Sequence, residues 1–495
     1  MTGAQADPGP PAGISALKAQ RRNPLAQCLP RRHTEPMSLL DATHYTPDDM
    51  LMHPRHIAMQ PALAHLIEQV RAIDSAAAGY EFQQDLLDRI LEIDRDRYEF
   101  KKAAERMKKG KAPHPDAPEP QSGRDLSDEA TWRFEHAVCE RLGSQLRSVG
   151  DALAWRAFGF HRPFVLALSR NDSPGPMHGK TGLAAERDRA ERAFKDDGHF
   201  ALLHDVTNCL RIGDITLWDE TNPPLTEEIK TNPNAKRSTQ LRRINQARAA
   251  ILDGGPLPGP DTAQRLHDLD LPMRTHLDML QSAARQAAAD GIHATVVPGA
   301  RALAVVDQQA CSRNGLSSEQ FNAQFQSAFG AALASAGIAG RREDHNWHAT
   351  TLDSTARDPL RVPWANYPLD PTLCARLIGD YVIFTVETSG PVLTRLIRTA
   401  GLDAHWVRPP GPRAPRPGEV FMEIHHQEQL QALPLPGGVT MTPGWTLQMA
   451  PSELDRYLLE FLQPGTWIAG IKHLLAARQA GRPWPHFRDE HEVWR

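Results

Sequence analysis

Three ionisable residues in the stretch GDITLWDETNPPLTEEIKT (Gly213–Thr231) are of the types that cut phosphodiester bonds. Asp214 opens an apolar run; after a proline pair, Glu228 and Lys230 flank Ile229. In a strand, side chains alternate between faces. Glu228 and Lys230 therefore share one face and Ile229 takes the other. On the preceding run Ile215 and Leu217 share a face, opposite Asp214, Thr216 and Trp218. A hairpin through DETNPP buries Ile215, Leu217 and Ile229 together and gathers Asp214, Glu228 and Lys230 on the far side. A slip of one residue would undo this. Two carboxylates and a backbone carbonyl suit Mg²⁺ (or Mn²⁺), which prefers hard oxygen ligands. Such an ion polarises a phosphoryl oxygen and acidifies a bound water. A lysine beside it orients the water or neutralises developing charge, and the carboxylates keep it protonated until substrate arrives. The plain alternative is a solvated hairpin edge whose ion pair is worth about 0–1 kcal/mol.

Asp214, then Glu228-Ile229-Lys230 on the next strand, with an amphipathic helix after it, resembles the PD-(D/E)XK nuclease superfamily over roughly 180–255. The resemblance implies a restriction-endonuclease-like core, a mixed sheet flanked by helices. It implies that Asp214 and Glu228 are metal ligands, that the Ile229 carbonyl is a further ligand, and that Lys230 is the catalytic lysine. The family often adds an acid on the helix before the first strand. Glu186, in LAAERDRAERAF, is the first choice and Glu135 the second. Gln240 or Gln246 fits the glutamine that some members carry on the following helix. Gly213, not proline, precedes Asp214, a departure that the family tolerates. The triplet alone is unspecific, since Glu99-Phe100-Lys101 repeats it inside a charged helix. The order strand, aspartate, turn, strand, helix is what gives it meaning. The partner implied is nucleic acid, with DNA the default and RNA open.

Neighbouring residues extend this reading. Lys236, Arg237, Arg242 and Arg243 follow Lys230 and suit sequence-blind contact with phosphates; an ordinary basic helix surface is the commoner meaning. Asp205, closing LLHD, is either a further ligand or a structural aspartate. Gly179-Lys180-Thr181, after the apolar FVLALS and a Gly/Pro loop, outlines a phosphate-binding loop at Gly175–Thr181. Pro174 stands where that pattern needs glycine, and Pro174 and Pro176 have no N–H to give a phosphate. A nucleotide hydrolase is thus an alternative, and Lys180 touching substrate phosphate near a nuclease cleft is preferred. A third reading is a non-catalytic nucleic-acid or protein-binding module on a nuclease-like fold. DHNWH (Asp344–His348) puts His345 and His348 at a helical offset without a full ligand set.

The elements that must position these groups follow from composition and period. The chain has 495 residues, 40% hydrophobic and 23% charged, with a net charge of −4. That length calls for two or three domains. Residues 1–50 lack a sustained period and read as disordered. Residues 51–110 read as helical, with Leu63, Leu66, Ile67, Val70 and Ile73 on one face, and 111–125 as a linker. Residues 126–258 read as the nuclease domain, opened by an N-cap at Ser127. FVLALS, HFALLHDV, GDITLW and LTEEIKT read as strands. Leu183–Asp197 and Arg237–Leu252 read as helices, the latter with Leu241, Ile244 and Ala247 on one side. Residues 259–495 read as a separate α/β domain, so the whole is mixed α+β. Five scattered cysteines, no apolar leader and no apolar run of about 18 residues point to a cytoplasmic chain without a membrane partner. A homo-oligomer is left open.

Overall fold

The computed structural model describes residues 47–123, 129–169, 174–218, 224–229, 239–253, 255, 257–258, 274–338, 346–352, 361–407, 422–426, 433–434, 440–441, 446–449 and 451–479. The N-terminal half is helical, as its period requires. After a short α1 (Pro47–Leu51), α2 (Pro54–Ala72) is capped by the His53 ring, which accepts the Arg55 N–H. It buries Leu63, Leu66, Ile67 and Val70, while Ile73 falls just beyond its end. Ser75 caps α3 (Ala76–Lys108), which buries Phe82, Leu86, Leu87 and Ile90 and holds Glu99-Phe100-Lys101 mid-helix. The next helix, α4 (Glu129–Ala157), is one uninterrupted rod. Ser127, the expected N-cap, lies outside the described residues.

FVLALS is not a strand. Arg162–Leu168 forms a short helix, α5, with proline in its first turn and Phe164, Val165, Ala167 and Leu168 all buried. A short run that is apolar all round carries no period, so pattern alone cannot separate buried helix from buried strand. Pro163 suits a helix start, where its missing N–H costs nothing. Then come α6 (Leu183–Asp197), β1 (Phe200–Leu203), a 3₁₀ turn (His204–Val206), β2 (Ile215–Trp218), β3 (Leu225–Glu227) and α7 (Thr239–Asp253). The strands form a sheet in the order β1-β2-β3. The mixed sheet expected of this region is not seen among the described residues, where both pairings are antiparallel. In α7, Ile244, Ala247 and Ala250 are buried but Leu241 is exposed.

The C-terminal half is α/β in its sequence pattern and α+β in its pairing. After α8 (Leu277–Asp290), β4 (Ile292–Val297), β5 (Arg301–Asp307), β6 (Trp347–Thr350) and β7 (Val382–Thr388) build an antiparallel sheet in the order β4-β5-β7-β6. Two further helices, α9 (Gln308–Arg313) and α10 (Ser318–Ser335), follow β5, and α11 (Pro371–Ile378) precedes β7. His348 stands on β6, so the helical offset expected of DHNWH does not hold there; His345 lies outside the described residues.

One apolar core draws on Leu63 and Ile90, on Leu153 and Ile215, and on Phe384 and Leu458, so it does not break at 110 or at 258. Polar ties follow it. Arg71 on α2 donates from Nε to the Ala365 carbonyl at 2.7 Å, from Nη2 to that of Tyr367 at 2.6 Å and from Nη1 to that of Leu369 at 2.8 Å. The Glu460 carboxylate is buried between Arg162 at 2.6 Å and Arg456 at 2.9 Å. No helix among the described residues is long and apolar enough to cross a membrane.

Candidate functional site: an acidic cluster closed on a lysine

The β2–β3 register decides where the acids go. Ile215 pairs with Glu227, Thr216 with Thr226 and Leu217 with Leu225. One step further, Asp214 faces Glu228. Two hydrogen bonds fix that step: Asp214 N–H to the Glu227 carbonyl at 2.9 Å, and Ile229 N–H to Asp214 Oδ2 at 2.7 Å. Ile215 is fully buried, and Leu217 and Ile229 pack against the same core. The approach to Asp214 is tight. Gly213 has φ +86°, and a Cβ there would lie 2.3 Å from Thr226 Cγ2. Only glycine meets both demands. Below it, the His204 ring reaches the Gly213 carbonyl at 3.0 Å and Thr216 Oγ1 at 2.8 Å. Burial pushes that imidazole down to about 3, so it stays neutral and braces the hairpin.

Glu186 arrives from α6, one turn into the helix, and Asp205 from the 3₁₀ turn after β1. Lys180, on the loop leading into α6, lies between them. Its Nζ is 2.6 Å from Asp205 Oδ2 and 2.8 Å from Glu186 Oε1. Burial lowers the lysine's affinity for its proton, but Asp205 and Glu186 outweigh this and leave its pKa raised. Glu186 is raised by burial and by the charges of Asp205 and Asp214, against the pull of Lys180. Asp214 is raised by burial and by Asp205 and Glu228, against the Ile229 N–H and Lys180. These four carboxylates therefore share one electrostatic neighbourhood, drawn from α6, the 3₁₀ turn and the β2–β3 hairpin.

Helix α4 holds the cluster in place. Arg147 donates to the Asp205 carbonyl at 3.1 Å and pairs with buried Asp94 at 3.0 Å, while Asp94 Oδ2 accepts the Met177 N–H at 2.8 Å. Asp151 Oδ1 accepts the N–H groups of Asn208 at 2.6 Å and Cys209 at 2.8 Å. Sequence reading missed this scaffold because its partners come from distant segments. It also passed over Glu227, which grips Arg189 on α6 through two hydrogen bonds at 2.9 and 3.0 Å.

The remaining candidates divide. Glu135 is away from this cluster: one oxygen accepts the N–H groups of Gln121 and Ser122 and meets the His53 ring at 3.1 Å, so it fastens the linker to α4. Gln240 donates to the Arg211 carbonyl at 3.2 Å. Gln246 and Arg242 are exposed and Arg243 is half-buried on α7. Lys230, Lys236 and Arg237 lie outside the described residues. The phosphate-loop outline loses its leading strand to α5, and Lys180 is engaged by carboxylates.

Carboxylate oxygens are the donors that a hard divalent cation prefers. Among the described residues, however, no group of three or more metal-ligating side chains is arranged for an ion. No family model, curated protein or solved structure matches the chain.

Proposed function

We propose that the chain is a Mg²⁺- or Mn²⁺-dependent phosphodiester hydrolase of the PD-(D/E)XK type, acting on nucleic acid, with DNA as the first substrate to test. The observation that carries this reading is pairwise: Asp214 and Glu228 stand opposite each other just beyond the paired ends of β2 and β3, and Glu186 on α6 feels the charge of Asp214. The order α6, β1, β2, β3, α7, a helix, three strands and a helix, supports this reading. Asp214 and Glu228, with the Ile229 carbonyl, would hold the ion, and Glu186 would complete or orient its shell. When bound, the ion would polarise the scissile phosphate and lower the pKa of an attacking water.

The protein's own part is positioning. The Ile229 N–H fixes one Asp214 oxygen at 2.7 Å. His204 and Thr216 keep the hairpin from sliding, which would carry Asp214 to the wrong face. Lys230, outside the described residues, is the catalytic lysine of this reading, the group that would hold the attacking water or the phosphate charge. Exposed Arg242 and half-buried Arg243 on α7 would contact the backbone of the nucleic acid.

The test is cleavage of supercoiled plasmid and of a single-stranded RNA with Mg²⁺, with Mn²⁺ and with EDTA. Asp214→Asn and Glu228→Gln should each lower metal-dependent cutting by at least ~10²-fold without changing the circular dichroism spectrum. Cutting that survives both substitutions would end the nuclease reading. Salt-sensitive, metal-independent binding without cutting would favour a binding module instead.

A further inference from the structure

We propose that the groove along the C-terminal half of α3 seats a single strand of nucleic acid. The inference rests on the nucleic-acid reading above and adds the form of the strand and the surface that takes it. Three observations carry it. The first is charge. Glu99–Lys111 holds six cations and two acids, a local excess of four positive charges in a chain whose net charge is −4. Lys101, Lys102, Arg106, Lys108, Lys109 and Lys111 are all exposed. Among the described residues only Lys102 of these has a carboxylate beside it, Glu99 at 3.6 Å. The second is shape. The spacing of Arg95, Lys102, Arg106 and Lys109 puts them on one face of the helix, a ridge about 21 Å long. The chain returning through His114 and Pro118 lines the same cavity, whose volume is about 870 Å³. Most acids of that lining are engaged: Arg55 holds Asp96 at 2.7 Å, Lys102 faces Glu99, and Asp116 lies 3.4 Å from His114, which leaves Glu105. The third is an exposed ring. Tyr98 is 42% exposed, its centroid 5.1 Å from that of His178, with the Lys102 Nζ 4.0 Å over its face. His178 lines the groove two residues before Lys180, so this end leads towards the acidic cluster.

These are the parts by which single strands are held: a cationic groove that follows the phosphates and an aromatic face on which bases stack. A duplex keeps its bases stacked on one another and cannot use Tyr98. A membrane surface is flat, and helices that bind it set exposed large apolar side chains beside their cations. Tyr98 is the one exposed large hydrophobic among the described residues that border this groove.

Fluorescence anisotropy of the full chain with fluorescein-labelled oligothymidylate, in EDTA so that no metal-dependent cutting intrudes, tests the inference. Wild type should bind, with an affinity that falls steeply as salt rises. The joint variant Lys102→Gln, Arg106→Gln, Lys109→Gln should bind at least ~10-fold more weakly, and its log–log salt slope should flatten by about 2, since each phosphate contact contributes roughly 0.7. Tyr98→Ala should weaken binding at least ~5-fold. Wild-type binding by the joint variant overturns the inference. So does tighter binding of the oligothymidylate–oligoadenylate duplex than of the single strand, or capture of phosphatidylserine vesicles without capture of the oligonucleotide. A second measurement uses the wild-type chain and so does not depend on a variant folding. Ultraviolet crosslinking to oligothymidylate, read by peptide mass spectrometry, should mark Tyr98, His178 or the segment 95–111; crosslinks confined to other segments overturn the inference. Strand binding that the joint variant loses, with no metal-dependent cutting of any substrate, would sink the nuclease reading and leave the groove standing. Asp214-dependent cutting of single strands at full efficiency in the joint variant would do the reverse.

Discussion

Gly150→Ala is the sharpest test of how the cluster is held. Gly150 sits on α4, where that helix passes the 3₁₀ turn bearing Asp205. A Cβ there would lie 1.8 Å from the Val206 carbonyl oxygen and 2.7 Å from its carbon. Ordinary contact begins near 3.4 Å, so helix and turn must part by roughly 1.6 Å in an interior that packs like a crystal. Overpacking of this kind costs about 1–3 kcal/mol. The separation also pulls on the Asn208 and Cys209 N–H groups held by Asp151, next in sequence. Each is a hydrogen bond to a carboxylate worth about 1.5–3 kcal/mol, and losing one adds about 2 kcal/mol. Alanine in place of glycine in a helix returns about 1 kcal/mol. The net expectation is a loss of about 3 kcal/mol. Urea unfolding followed by circular dichroism reads it as a lower midpoint at unchanged slope. Gly175→Ala, with nothing within 4 Å of the new Cβ, is the control and should be neutral. A Gly150→Ala protein as stable as wild type would refute the account of α4 as the close-fitting support of the site.

Glu460→Gln should destabilise the fold by about 3–5 kcal/mol in the same assay, because it strands Arg162 and Arg456 beside a neutral amide; a neutral effect would show the pairs to be dispensable. Burial opposes the Glu460 charge, but the two arginines outweigh it and hold its pKa at about 2. Its contribution is therefore complete above the usual carboxylate range and drains as pH falls through about 2. An earlier acid loss belongs to histidine. Burial, aided by Arg141, depresses His56 to about 4, below its ordinary 6.5. The unfolded chain binds the extra proton in between, so stability falls as pH drops from 6.5 towards 4, by about 3 kcal/mol for this residue. Unfolding midpoints that stay level between pH 7 and 4.5 would contradict this.

The sequence announces the parts of the site that depend on local pattern. The run LAAERDRAERAFKDD becomes α6 at its expected ends because a helical period and Gly198, at φ +70° as its C-cap, agree. The hairpin register follows from burying Ile215, Leu217 and Ile229 on one side, which leaves Asp214 opposite Glu228. What pattern cannot give is the meeting of groups from separate segments. Asp94, Arg147 and Met177 come together only through packing, and Lys180 meets Asp205 because α6 lies along β1. Glu135 reads like a helical acid suited to metal, yet the tertiary fold points it at the Gln121 and Ser122 N–H groups. FVLALS misleads for a different reason, since complete burial erases the period that would separate helix from strand.

The three carbonyls that Arg71 gathers have a consequence for biosynthesis. At a translation speed of about 5–20 residues per second, the Ala365 carbonyl leaves the ribosome roughly 15–60 s after the arginine that binds it. Throughout that interval α2 has its guanidinium without its acceptors, and much of the apolar surface it will cover does not yet exist. The contacts that join α2 to this late segment can therefore form only after most of the chain has been made.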